Sequence, residues 1–414
     1  MYFISESEGL GIATIPASKM RILGFETDTP GIFLPRYRQD SLARPQPKAQ
    51  GWAEGLISTP TGFCYNADSI AQYAKEGIVA DYYVISARNV KKGTFEAEPG
   101  KVRYLKVKDD ELPSPADEIP VKQWMEEVRD LADGRADQKV AEGGDVLVFI
   151  HGYNNDAQAI RDRQLRLGLD LAAEQWRGVV VSFDWPSDNS TLNYLEDRAD
   201  AAEVARELVS RGIRPLAEGQ ENGCKTNIHL IGHSTGAYVI MEAFAQAEKD
   251  GALFKSDWRI AQVALIGGDI ASASLAADSE WAAPLFRRVM RLTNYQNPFD
   301  HVLAASNAKR LGVAPRAGRV GLPPHAHAKT VNVNCGEYFQ TLDPRTSTFF
   351  GTFAHSWHIG NRIFARDLAM TMEGRIDRNA VPTRRSVDSQ LVLQDKPRPQ
   401  HYADWSMDRN VAGD

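Results

Sequence analysis

Cysteine is scarce in this chain. Cys64, Cys224 and Cys335 are the three present in 414 residues, an odd number set far apart. That argues against a disulfide framework and fits a reducing compartment. No Cys-x-x-Cys pair occurs, so a zinc site built on cysteine is not expected. Long apolar runs are also missing, and nothing approaches the roughly 20 residues that span a bilayer. The opening Met1-Tyr2-Phe3-Ile4-Ser5-Glu6-Ser7-Glu8 has neither a basic start nor an apolar stretch, so no signal peptide is read there and a cytoplasmic protein is expected. Charge of one sign is not massed anywhere: the net charge is −6 and Lys and Arg are scattered, which predicts no nucleic-acid partner. No internal repeat or low-complexity block is present.

What the chain does have is a globular composition, 43% hydrophobic and 25% charged. Its length suits one large α/β domain with additions, or two domains. Apolar strand-like runs recur at 81–86, 146–150, 179–183, 228–231, 260–266, 289–293 and 331–333, and 101–107 alternates as a strand with one wet face. Helical patterns fall between them at 121–133, 157–173, about 192–211 and 237–249. Apolar strands alternating with helices predict a mostly parallel central sheet with helices on both faces. The regular pattern covers 76–375. Residues 1–75 are rich in turn formers and read as an N-terminal extension, and 376–414 as a C-terminal tail or arm. Either is a candidate lid or subunit contact, which leaves a homo-oligomer open.

The sharpest local signal is Ile231-Gly232-His233-Ser234-Thr235-Gly236, where an apolar strand ends in Gly-x-Ser-x-Gly and a helical pattern begins at once. A serine on such a strained strand-to-helix turn is presented as a nucleophile. Glycines two residues to either side permit close backbone approach. The N-terminus of the new helix turns its N–H groups toward the serine, where negative charge is stabilised.

A serine hydroxyl needs a base, normally a histidine oriented by a carboxylate, and in this arrangement the chain order is Ser, acid, His. Asp300 follows the strand ending near Thr293. Its alternative role is a helix N-cap. Asp269, after the strand 260–266, is the reserve acid. For the base, His355 and His358 both stand after the last strand, with His355 placed first. His151, His229 and His301 read as structural or ill-placed, and His325-x-His327 as a loop rather than a metal pair, so neither metal nor organic cofactor is expected. The loop Gly152-Tyr153-Asn154 after the first core strand supplies an oxyanion hole from the Tyr153 and Thr235 N–H groups. Asn154 and His233, flanking this point, are the candidate substrate-facing residues.

Four blocks together resemble a bacterial α/β-hydrolase family of esterase- and lipase-like proteins: Phe149-Ile150-His151-Gly152-Tyr153-Asn154; Phe183-Asp184-Trp185-Pro186-Ser187 with Tyr194 and Asp197; Leu230 to Gly236; and His355-Ser356-Trp357. The resemblance covers roughly residues 81–369. It implies the α/β-hydrolase fold, Ser234 as nucleophile, His355 rather than His358 as base, and an aspartate near Asp300. It departs at Thr235, where a methionine or small residue is more usual. A carboxylesterase acting on small to medium esters is the leading expectation. An amidase, thioesterase, lactonase or acyltransferase would use the same residues, and a non-catalytic binding scaffold is the reading from another class.

Overall fold

The computed structural model describes residues 81–135, 144–153, 156–187, 202–217, 226–251, 255, 257–309 and 314–399. The N-terminal extension 1–75, Asn154, Tyr194, Asp197 and the start of the helix expected from about 192 lie outside the described residues.

Ten strands form one sheet among the described residues: β1 (Tyr82–Lys91), β2 (Thr94–Val107), β3 (Asp145–Ile150), β4 (Val179–Asp184), β5 (Asn227–His233), β6 (Ile260–Ile266), β7 (Val289–Gln296), β8 (Thr330–Asn334), β9 (Arg384–Val387) and β10 (Gln390–Leu393). Their spatial order is β2-β1-β4-β3-β5-β6-β7-β8-β10-β9. All neighbours pair in parallel except at the two outer edges, where β2 runs against β1 and β9 against β10. This is the mostly parallel sheet that the alternating pattern predicts, in the α/β-hydrolase arrangement that the resemblance implies.

The unbroken apolar strands follow from burial on both faces. Successive residues of β3 enter opposite cores: Val146, Val148 and Ile150 face one, Leu147 and Phe149 the other. The first core is closed by Trp124 and Val128 of the helix Val121–Arg135 and by Val239, Ile240 and Phe244 of the helix Gly236–Lys249. The second is closed by Leu167 and Leu171 of Ala157–Ala173 and by Phe364, Leu368 and Met372 of Arg362–Glu373. Each such fully buried side chain contributes about 1.5–3 kcal/mol of burial free energy. Asp156 and Asn361 start the second pair of helices, their side chains accepting from Ala159 N–H and from the Ile363 and Phe364 N–H groups.

Residues 376–399, which the sequence sets apart from the domain, contain β9 and β10. The hairpin turns through Asp388 and Ser389 at φ +46° and +65°, a pair of left-handed residues that suits a two-residue turn. β10 then pairs in parallel with β8 and buries Val392 and Leu393.

Candidate active site

Gly152 after β3, Ser234 after β5 and Asp300 after β7 follow the carboxyl ends of parallel strands, where open α/β sheets bind ligands. β5 runs into Ser234, which sits at φ +55°. Holding a non-glycine residue there costs about 1–2 kcal/mol, so the surroundings must fix it. They do: the Ser234 N–H donates to Ile266 O at 3.0 Å, and its carbonyl accepts from the N–H groups of Asp269 (3.0 Å) and Ala237 (3.1 Å). The glycines are sterically required. A Cβ on Gly236 would stand 2.2 Å from Ile150 O, and one on Gly232 2.8 Å from Ile240 Cδ1. Gly152, after β3, packs directly on the serine, since a Cβ there would lie 2.7 Å from Ser234 Cβ.

His355 lies in the short helix Phe353–Ser356 and is buried. Its Nδ1 stands 2.6 Å from Asp300 Oδ2, and Asp300 is 1% exposed. A carboxylate can only accept, so Nδ1 carries the proton and Nε2 is left as the basic nitrogen. The other Asp300 oxygen accepts from Leu303 N–H at 3.0 Å and so caps the helix His301–Lys309. Asn297 anchors the histidine's helix by donating to Ala354 O at 2.8 Å. The imidazole rests against Gly267, at φ +52°, where a Cβ would come within 3.0 Å of His355 Cε1.

The structure brings Asp300, not Asp269, to His355. Asp269 forms a buried ion pair with Arg316, Oδ1 to Nε at 3.2 Å. His358 is buried on the stacked face of Trp357, and burial, then the neighbouring His355, push its pKa down to about 3. His233 is 4% exposed, its ring 4.9 Å from that of His355, and its Nε2 donates to His355 O at 3.2 Å. Burial first, then the charges of His355 and Arg163, push His233 well below the usual imidazole range, so it is a neutral support rather than a base. Tyr153 is half-buried beside the Gly152–Ser234 contact, and Thr235 is buried at the start of the elbow helix. Among the described residues no group of three or more His, Cys, Asp or Glu side chains is arranged to hold a metal ion. No helix there is long and apolar enough to cross a membrane.

Two features escape the sequence. Arg163, buried in the helix Ala157–Ala173, donates from Nη2 to Phe350 O at 2.6 Å and steadies the segment that leads to His355. Asp184, at the end of β4, accepts from Arg88 Nε (2.7 Å) and Ser86 Oγ (2.9 Å) and lies 3.3 Å from His151 Nε2. Arg88 and Ser86 come from β1 and His151 from the end of β3, so no local spacing announces them.

Sheet order and elbow define the α/β-hydrolase fold. Residues 133–324 match the family described as alpha/beta hydrolase of unknown function (DUF900). That stretch includes Ser234 and Asp300 and ends before His355. No curated protein matches the chain. Among solved structures it is similar to a cutinase-like protein from Cryptococcus sp. (17% identity, 56% of this chain and 95% of that one, TM-score 0.28). It is also similar to the esterase LipW from Mycobacterium marinum (19% identity, 65% and 67%, TM-score 0.26). A third is a Trichoderma reesei cutinase in complex with a phosphonate inhibitor (12% identity, 62% and 92%, TM-score 0.25).

Proposed function

We propose that the protein is a serine carboxylesterase acting on small to medium esters. The observation that carries this is the buried 2.6 Å contact of Asp300 Oδ2 with His355 Nδ1, whose ring lies 4.9 Å from that of His233, the chain neighbour of a serine held at positive φ. Asp300 fixes the imidazole tautomer that leaves Nε2 free to take the Ser234 proton as Oγ attacks the ester carbonyl. The imidazolium that forms is stabilised by the Asp300 carboxylate. The tetrahedral oxyanion is held by the N–H groups of Tyr153 and Thr235, each worth about 3–4 kcal/mol. His355 then protonates the leaving alcohol. Water, activated by the same nitrogen, releases the acid and restores the serine.

The test is hydrolysis of chromogenic esters of graded chain length by wild type and by Ser234→Ala. Wild type is expected to cleave some of the series, and the variant to lose at least ~10³-fold in kcat. Equal activity of the two, or inertness of wild type together with no fluorophosphonate labelling of Ser234, would remove this reading.

A further inference from the structure

We infer that His151 is a positioning residue that aims the Tyr153 N–H at the oxyanion, and that the Gly152 carbonyl and the Trp185 N–H hold it in the one tautomer able to do so. The inference rests on the function proposed above and adds a part to the same site.

The argument starts from the planarity of the peptide bond. The carbonyl of Gly152 and the N–H of Tyr153 belong to one trans peptide and point in opposite directions. Whatever fixes the carbonyl therefore aims the N–H. The Gly152 carbonyl lies 2.8 Å from His151 Nδ1. A carbonyl only accepts, so Nδ1 bears the hydrogen. At the other side of the ring, Nε2 accepts the main-chain N–H of Trp185 at 3.2 Å. The two bonds demand the same tautomer, and they hold it against Asp184, whose Oδ1 lies 3.3 Å from Nε2 and would by itself favour a proton there. Trp185 also stacks on the imidazole, with centroids 5.5 Å apart and planes 8° from parallel, and its Nε1 donates to His151 O at 2.8 Å. The ring has no freedom to turn, and it is completely buried.

The charge behind it completes the device. A neutral His151 is required, because a protonated Nε2 would lose the Trp185 bond. Burial pushes the His151 pKa down, while the Asp184 carboxylate pulls it up. Arg88 meets Asp184 at 2.7 Å and offsets that pull. Burial alone would raise the Asp184 carboxyl, yet the charge of Arg88, the largest opposing influence, holds it down to about 2. Asp184 thus stays a carboxylate at every working pH, its charge matched by Arg88 rather than by a proton on His151.

The experiment compares wild type, His151→Phe and His151→Asn in ester hydrolysis, with folding checked by circular dichroism and urea unfolding. Phenylalanine keeps the stacked ring and removes the donor. It is expected to lower kcat by about 10²–10³-fold, the loss seen when one oxyanion donor is removed, with KM within about threefold. Asparagine carries an amide N–H close to the Nδ1 position and is expected to recover at least tenfold of that loss. A purely structural role would move both variants together with their stability, and that pattern overturns the inference. So does a folded His151→Phe with kcat near wild type. A second readout is independent of turnover: 15N NMR of the histidine rings at pH 7 to 8 should show His151 protonated at Nδ1 and bare at Nε2. The opposite tautomer would sink the positioning role whether or not the esterase reading stands.

Discussion

Asp300 shows how one side chain can hold two roles that look like rivals in the sequence. Its Oδ2 meets His355 and its Oδ1 caps the helix Leu303 belongs to, so cap and orienting carboxylate coexist. The two roles separate by substitution. Asparagine caps as well as aspartate, but it offers His355 Nδ1 an amide and invites the wrong tautomer. Asp300→Asn is therefore expected to lose about 10⁴-fold in kcat. Asp300→Ala should lose activity likewise and be less stable than the Asn variant by about 1 kcal/mol in urea titrations. An Asn variant within tenfold of wild-type kcat would place the acid elsewhere. Ser234 and its glycines were legible in the sequence because the steric demands of the elbow act within five residues. The choice between Asp269 and Asp300 was not, because the partner that removes Asp269, Arg316, comes from a distant segment.

At the level of elements, strands buried on both faces announce themselves, and β3 to β8 fall where their apolar runs predict. The last hairpin does not. Its strands have four residues each, too few for a period to register, and its turn uses Asp388-Ser389 where Asn-Gly or Asp-Gly would be the recognisable signal. What ties it to the domain is tertiary. Arg384 of β9 pairs with Asp367 of the helix Arg362–Glu373 at 2.6 Å, both side chains fully buried. Asp367 also accepts from Tyr295 Oη on β7 (2.7 Å) and Thr383 Oγ1 (2.6 Å). Removing the cation alone leaves a buried carboxylate without its counter-charge, which costs about 3–5 kcal/mol. Arg384→Met is expected to be destabilised by that amount in urea unfolding, and a chain cut after residue 376 to be insoluble or unfolded. A soluble, fully active truncation would show that the hairpin is dispensable.

For the whole molecule, the sheet gathers at its carboxyl edge His151 after β3, Ser234 after β5 and Asp300 after β7, with His355 brought to Asp300 from beyond β8, and the core buries several histidines to do it. The pKa of His151, His233 and His358 is lowered in the folded state, chiefly by burial, that of His358 to about 3. Free histidine titrates near 6.5, so below that pH the unfolded chain takes up protons the folded one refuses. Stability therefore falls as pH drops, by about 1.4 kcal/mol per pH unit for each such histidine. Asp170 works against this. Burial raises its carboxyl to about 6, so between 6 and its ordinary value near 3.8 the folded state holds a proton the unfolded state releases. The held-down carboxyls of Asp184 and Asp367 add further loss only as pH falls below that ordinary value. One histidine can be removed from the balance cleanly. His358 stacks on Trp357 at 4.3 Å and meets Phe364 edge-on at 5.3 Å, and neither of its ring nitrogens has a hydrogen-bond partner. Phenylalanine keeps both ring contacts and removes two buried, unsatisfied polar atoms, whose cost is about 1–3 kcal/mol each at most. His358→Phe should be at least as stable as wild type at pH 7.5. Between pH 6 and 4.5 its unfolding free energy should fall less steeply than that of wild type, by about one proton, or ~1.4 kcal/mol per unit. Urea titrations of both proteins at three pH values across that interval decide it. Parallel pH dependences would mean that His358 is already protonated in the folded chain, and that its burial is compensated by a group that does not touch its ring.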